Sequence, residues 1–179
     1  GFFVVLALHG LAKYAAKPKL RSYLLALAAI GLGAAVKYTP LALCAPALAL
    51  RAWTLRRVGT ARIAADAVGS VAVVLAFFFA GSPYFFLDFP TAMSFLADVK
   101  RINMGFTLGP FHHLGSLSRA VGVPLFVAAL AGLAMQLLRP SAARIVLAGS
   151  AVLYYALIAK GGQPYIRYVV PLVPLAALG

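Results

Sequence analysis

The chain has 179 residues, of which 64% are hydrophobic, and its mean hydropathy of +0.98 is too high for an ordinary soluble domain. Sixteen lysines and arginines against three aspartates, Asp66, Asp88 and Asp98, give a net charge of +13. The basic residues interrupt apolar runs instead of forming one face, so they indicate a lipid bilayer and argue against nucleic acid as the partner. The single cysteine, Cys44, excludes an internal disulfide.

The alternation of apolar runs with basic stretches predicts an all-α fold, a polytopic bundle of transmembrane helices with about seven membrane segments. The predicted segments are 2–12, 22–36, 38–50, 63–80, 121–138, 145–159 and 168–179. The first and last are short, so we expect 1–179 to be part of a single transmembrane domain in a longer protein. The bias toward Ala, Leu, Arg and Gly favours a bacterial source. We therefore expect this multi-pass protein in the bacterial plasma membrane.

The second and third apolar runs are separated by the stretch AVKYTPLA, which contains Lys37 and Pro40. One kinked helix over 22–50 would place the basic loops 12–21 and 51–62, with four cations each, on opposite sides of the membrane. Two short helices that meet at Lys37 place both loops in the cytoplasm, where positive loops gather. Proline also suits the first turn of a new helix. We therefore predict a short-helix hairpin over 22–50 with Lys37 facing outward.

The stretch 82–120 is predicted to be an external segment, because its three cations are diluted by Asp88 and Asp98 and it is rich in aromatic residues. Within it, 90–102 has the pattern of an amphipathic helix that lies along the membrane interface. The apolar side of this helix is formed by Phe89, Met93, Leu96 and Ala97.

Candidate binding residues collect on the predicted external side: Lys37 and Tyr38 at the hairpin tip, Asp88 in the external segment, and Arg167 beside a Gly-Gly-Gln-Pro turn. Cations are disfavoured there unless they have a function, and Lys and Arg suit anionic lipid headgroups. Each also fits a structural role. Lys37 and Arg167 could snorkel to headgroups from helix ends, and Asp88 could cap the helix at 90–102.

Other polar residues fit structural roles more simply. Asp66, near the first turn of 63–80, is expected to interact with the helix dipole. The adjacent His112 and His113 have no third ligand nearby, so we predict no metal site. The sequence contains no P-loop, GxSxG, HExxH or GxGxxG motif and no close pair of carboxylates.

Four patches of sequence, in this order, resemble polytopic glycosyltransferases that use lipid-carrier sugars. They are LRSYLLALAAIGLGAAVKYTPLALCAPALAL, GSPYFFLDFPTAMSFLADV, HHLGSLSRAVGVPLFVAALAGL and PYIRYVVPLVPLAALG. In that superfamily, a lysine between two short helices and an "RYvlPllP" signature occupy similar places. Its members include dolichyl-phosphate-mannose protein mannosyltransferases and the bacterial aminoarabinose transferases of lipid A.

The resemblance implies a membrane enzyme of the C-type glycosyltransferase fold. Such an enzyme transfers a sugar from a polyprenyl-phosphate donor to an acceptor lipid, glycan or protein on the external side. By this resemblance, Lys37 and Arg167 would bind the donor phosphate, and Tyr38, Asp88 and Tyr168 would support the cavity. The usual catalytic base is a carboxylate in an earlier external loop, so we assign no catalytic residue and expect the base outside this chain. We expect no resident cofactor, although the sequence leaves a divalent metal open.

Two other classes of function remain open from the sequence. A secondary transporter or lipid flippase would use broken helices like the predicted hairpin, but such proteins often show an inverted repeat, and we find no repeat here. A non-catalytic membrane subunit of an envelope assembly would also fit the scarcity of acidic residues.

Overall fold

The computed structural model describes residues 1–104, 111–138 and 141–159, and these parts of the chain contain helices and no strand. The all-α prediction is therefore confirmed. The helices are α1 (Phe2–Ala16), α2 (Leu20–Val36), a 3₁₀ helix (Thr39–Leu43), α3 (Cys44–Leu55), α4 (Thr60–Gly81), α5 (Tyr84–Leu87), α6 (Phe89–Met104), α7 (His112–Val121), α8 (Val123–Leu138) and α9 (Ala142–Ala159).

Helices α1 and α2 run antiparallel and lie very close together. A Cβ atom added to Gly10 of α1 would lie 2.9 Å from the Cβ of Ala26, and one added to Gly33 of α2 would lie 2.8 Å from the Cβ of Phe3. A later residue of α2 thus contacts an earlier residue of α1, which shows that the two helices run in opposite directions. Small residues at such crossings let two backbones approach, as is usual between helices in a membrane.

Helix α4 packs on another side of α2 and runs parallel to it. The Tyr23 hydroxyl, in the first turn of α2, donates a hydrogen bond at 3.0 Å to Ser70 Oγ, in the middle of α4. A Cβ added to Gly81 would lie 2.8 Å from the Cβ of Ala35, near the end of both. Helix α2 therefore lies between α1 and α4 and contributes much of the buried core.

The chain reverses direction between α2 and α3. Lys37 follows α2 in an extended conformation, and Pro40 lies in the first turn of the 3₁₀ helix that leads into α3. If 23–51 formed one continuous helix, its ends would be about 42 Å apart at about 1.5 Å per residue. Instead, the guanidinium carbon of Arg51 lies 5.3 Å from the centre of the Tyr23 ring. The end of α3 therefore returns beside the beginning of α2.

Several helix boundaries differ from the predicted ones. The run predicted to end at residue 12 continues as α1 to Ala16, and the loop predicted over 51–62 is helical up to Leu55 and again from Thr60. Lysine and arginine are good helix formers, so a helix continues beyond its apolar part where the charged side chains reach solvent. Charge marks the end of an apolar segment better than it marks the end of a helix.

Within the described residues, one helix, α4 with 22 residues, is long and apolar enough to cross a membrane. Shorter apolar helices cover Phe2–Ala16, Leu20–Val36, Thr39–Leu55 and Val123–Met135. The apolar side chains Val123, Leu125, Val127, Leu130, Met135 and Leu138 of α8 are all exposed. Exposed apolar side chains around most of a helix indicate contact with lipid or with another apolar surface. The predicted segment 168–179 lies outside the described residues.

The segment that follows α4 is held to it by aromatic residues. The ring of Phe85 in α5 lies 5.4 Å from that of Phe78 in α4, and Phe86 lies 3.9 Å from Phe79, measured between ring centres. The helix predicted over 90–102 is present as α6. Its proposed apolar side is not covered by the bundle, since Phe89 and Met93 are exposed.

Candidate functional site

The directions of the first four long helices give the bundle two distinct ends. Because α1 and α3 finish where α2 and α4 begin, the two basic loops lie at the same end, which we call the basic end. Seven cations there have exposed side chains: Lys13, Lys17, Lys19, Arg21, Arg56, Arg57 and Arg62. An eighth, Arg51, turns into the bundle. This arrangement concentrates positive charge on one side of the helices.

Lys37 and Tyr38 lie at the opposite end, which we call the Lys37 end. Lys37 ends α2, and its backbone N–H donates to the carbonyl of Gly33 at 2.9 Å. The end of α4 lies beside them, since Gly81 approaches Ala35. Both Lys37 and Tyr38 have exposed side chains, so they are accessible to a ligand at this end.

Asp88 follows α5 on the same side of the molecule, where its carboxylate takes part in a helix cap. Its Oδ1 accepts a hydrogen bond from the backbone N–H of Thr91 at 3.4 Å, and its carbonyl accepts one from Ala92 at 3.0 Å. This is the geometry of a residue that caps the beginning of α6. The structure thus supports the alternative predicted from the sequence for Asp88, a structural role as the cap of this helix. Arg167 and Tyr168, the other two predicted site residues, lie outside the described residues.

Among the described residues, the most extensive polar network was not anticipated from the sequence, and it lies inside the basic end. Arg51 donates from Nε to Asp66 Oδ2 at 2.8 Å and from Nη2 to Asp66 Oδ1 at 2.6 Å, a bidentate ion pair. Its Nη1 donates to the Tyr14 hydroxyl at 2.9 Å. The rings of Tyr14 and Tyr23 are buried beside it, and Tyr23 continues the network to Ser70. These contacts tie α1, α2, α3 and α4 together.

The expectation for Asp66 is therefore corrected. It lies in the second turn of α4, not the first, and its carboxylate pairs with Arg51 instead of with free backbone N–H groups. A signal for this was present in the sequence, since Asp66 is the only acidic residue before residue 88. A lone carboxylate in a basic apolar chain is stable only with a cation beside it. Which of the neighbouring cations it meets depends on the helix packing.

The two adjacent histidines lie at the beginning of α7, and the absence of a metal site at this pair stays a prediction. The rings of His112 and His113 lie 5.6 Å apart at an interplanar angle of 82°, and His113 is buried. No group of three or more metal-ligating side chains occurs among the described residues. The geometry gives these histidines a place in the packing of α7.

Compared with known proteins, the chain matches no family model, and no curated protein or solved structure is significantly similar to it. The function is therefore inferred from the placement of charged residues in the helix bundle and from the resemblance of the four sequence patches.

Proposed function

We propose that this chain is part of a polytopic membrane glycosyltransferase. The enzyme would transfer a sugar from a polyprenyl-phosphate donor to an acceptor lipid, glycan or protein on the external side of a bacterial plasma membrane. The observation that carries the proposal is the separation of charge between the two ends of the bundle. The eight cations of the two basic loops, 12–21 and 51–62, lie at the basic end, while Lys37 lies at the other end, at a break between two helices.

The membrane placement follows from this separation. Positive loops are retained in the cytoplasm, so the basic end is cytoplasmic and the Lys37 end is external. Helix α4 has 22 residues and is about 33 Å long at a rise of about 1.5 Å per residue. This length matches the thickness of the hydrocarbon layer. Helix α2 ends level with α4, because Ala35 lies beside Gly81, so Lys37 would lie at the depth of the external surface of the hydrocarbon layer. We propose about seven membrane segments in this part of the protein.

A cation at this depth suits the chemistry of the transfer. The acceptor hydroxyl attacks the anomeric carbon, its proton passes to a general base, and the bond from that carbon to the phosphate oxygen breaks. The departing polyprenyl phosphate gains negative charge as the bond breaks, and a fixed cation stabilises that charge most strongly in the transition state. In this proposal Lys37 and Arg167 bind the phosphate, and Tyr38 and Tyr168 line its cavity. Asp88 positions the helix beside the cavity.

The test is transfer of a labelled sugar from a polyprenyl-phosphate donor by the full-length protein in lipid vesicles. Removal of one charge-stabilising group of this kind lowers kcat about 10²- to 10³-fold, so we expect losses of that size for Lys37→Ala and for Arg167→Ala. Lys19→Ala, which removes an exposed cation from the basic end, is the matched control and should retain activity. Normal transfer by both Lys37→Ala and Arg167→Ala would remove the proposed phosphate site.

A secondary transporter or lipid flippase is the second candidate, and one observation favours it. Ionisable residues inside helix bundles of membrane proteins often mark pathways for ions or substrates, and Arg51 and Asp66 form such a pair between α3 and α4. In that case, the protein would move a polyprenyl-phosphate sugar across the vesicle membrane without breaking the bond between the sugar and the phosphate. Measuring translocation and bond cleavage in the same vesicles separates the two candidates.

A further inference from the structure

A pocket at the basic end lies between the turn that joins α1 to α2 and the end of α3. It has a volume of about 360 Å³. Its lining combines Ala15, Pro18 and Leu50 with Trp53, Arg56 and Arg57. The pocket therefore offers apolar surface and two guanidinium groups together, which complement the acyl carbons and the anionic phosphate at the junction of a phospholipid's chains and headgroup.

The aromatic residue in this pocket fixes one of its cations. The guanidinium carbon of Arg56 lies 4.0 Å from the centre of the Trp53 ring, which is cation–π contact distance. Stacking holds the guanidinium plane in place, while its N–H edges can still bind a phosphate in a bidentate manner. Trp53 is 62% exposed, and an exposed tryptophan in an apolar protein prefers the level of the lipid headgroups.

The charge around the pocket is uncompensated in the part of the chain that the structure describes. The carboxylate at this end belongs to Asp66, and it is already engaged by Arg51. Lys17 and Lys19 flank Pro18, a lining residue of the pocket, and both are exposed. An anion that enters the pocket therefore meets Arg56 and Arg57 directly and two lysines nearby.

We infer that this pocket binds the headgroup of an anionic phospholipid from the cytoplasmic leaflet. The phosphate would accept hydrogen bonds from Arg56 and Arg57, and the glycerol and the first acyl carbons would lie against Leu50 and Trp53. A bilayer is the source that the position favours, because Trp53 and the basic loops occupy one end of an apolar bundle. The inference requires that the chain lies in a membrane, but it does not require sugar transfer, and so the two proposals can fail separately.

The experiment is native mass spectrometry of the full-length protein titrated with phosphatidylglycerol or phosphatidylcholine in detergent. A cation close to an anionic headgroup contributes about fivefold in affinity, so Arg56→Gln with Arg57→Gln should weaken phosphatidylglycerol binding roughly 25- to 30-fold. Lys13→Gln with Arg62→Gln removes the same charge from the same end, but from residues outside the pocket lining. This control should weaken binding by less than about threefold.

Three outcomes would overturn the inference. An equal loss of phosphatidylglycerol binding in both double variants would mean that the cations attract the lipid through their summed charge and not through a pocket. Equal binding of phosphatidylglycerol and phosphatidylcholine by the unaltered protein would mean that the headgroup charge is not recognised. Unchanged binding after Arg56→Gln with Arg57→Gln would place the lipid elsewhere. Both arginines are exposed, so folding of the variant is expected, and far-UV circular dichroism checks it.

Discussion

The ion pair between Arg51 and Asp66 allows a quantitative prediction through a double-mutant cycle. Arg51→Met removes the cation and leaves a carboxylate inside the bundle, whereas Asp66→Asn keeps an oxygen that can still accept one hydrogen bond from Arg51. The double variant removes both charges and leaves neither one uncompensated. We therefore expect the two single changes to be strongly coupled.

The magnitude follows from the geometry. Charge centres about 4 Å apart attract by about 4 kcal/mol at an effective dielectric constant of about 20. The two side chains are 16% and 24% exposed, so solvent weakens this attraction and desolvation offsets part of it. We expect Arg51→Met alone to lower the free energy of unfolding by about 3 kcal/mol, at the lower end of the range for broken buried pairs. The coupling energy between the two changes should be about 2 kcal/mol.

Unfolding of each variant in mixed micelles, followed by far-UV circular dichroism as the denaturing detergent is raised, gives these free energies. Arg57→Met, an exposed arginine beyond the end of α3, is the control and should change stability by less than about 0.5 kcal/mol. Single effects that add to the double effect within about 0.5 kcal/mol would refute the reasoning, because the two charges would then not interact in the folded protein.

Three further predictions concern the packing of α2, the polar network and the cap of α6. Gly31→Ala should destabilise the protein by about 1–3 kcal/mol, because the new methyl would press on a backbone carbonyl of α4, whereas Gly69→Ala on the open side of α4 should be neutral or stabilising. Mixed-micelle unfolding measures both, and equal effects would contradict the close α2–α4 packing. Tyr23→Phe removes a buried hydrogen bond to a serine of α4 and should cost about 1 kcal/mol by the same assay, while Tyr84→Phe at an exposed site should cost nothing measurable. Asp88→Ala should cost about 1 kcal/mol through loss of the cap, and Asp88→Asn should restore most of it. If Asp88→Asn is stable but fails in sugar transfer, the carboxylate has a role beyond the cap.

The candidate site could be located from the sequence to the extent that it depends on local signals. The position of Lys37 between two helices followed from a lysine and a proline that interrupt an apolar run, and the structure has α2 and the 3₁₀ helix on either side of it. The cap formed by Asp88 was an open alternative for the same reason, since a cap joins residues only three positions apart. Arg167 and Tyr168 remain predictions.

The residues that sequence reasoning missed interact across helices. Arg51 and Asp66 are 15 positions apart, and Tyr23 and Ser70 are 47 apart, so no local pattern joins them. The pocket beside Trp53 likewise forms only where the first basic loop meets the end of α3. Its cations are visible in the sequence, where they give only a general signal for the cytoplasmic side.

The sequence by itself determined that the chain is helical and highly apolar. It also determined that the apolar run 22–50 is interrupted at Lys37 and that a basic loop precedes and follows this hairpin along the chain. These properties depend on composition and on the spacing of neighbouring residues. The tertiary structure decided that α2 lies between α1 and α4, that glycines such as Gly31 stand where two backbones meet, and that Asp66 pairs with Arg51. The physical reason is that helix neighbours are selected by the fit of small and large side chains along two surfaces. A sequence read along one chain shows each surface but not the rotation and register at which they meet.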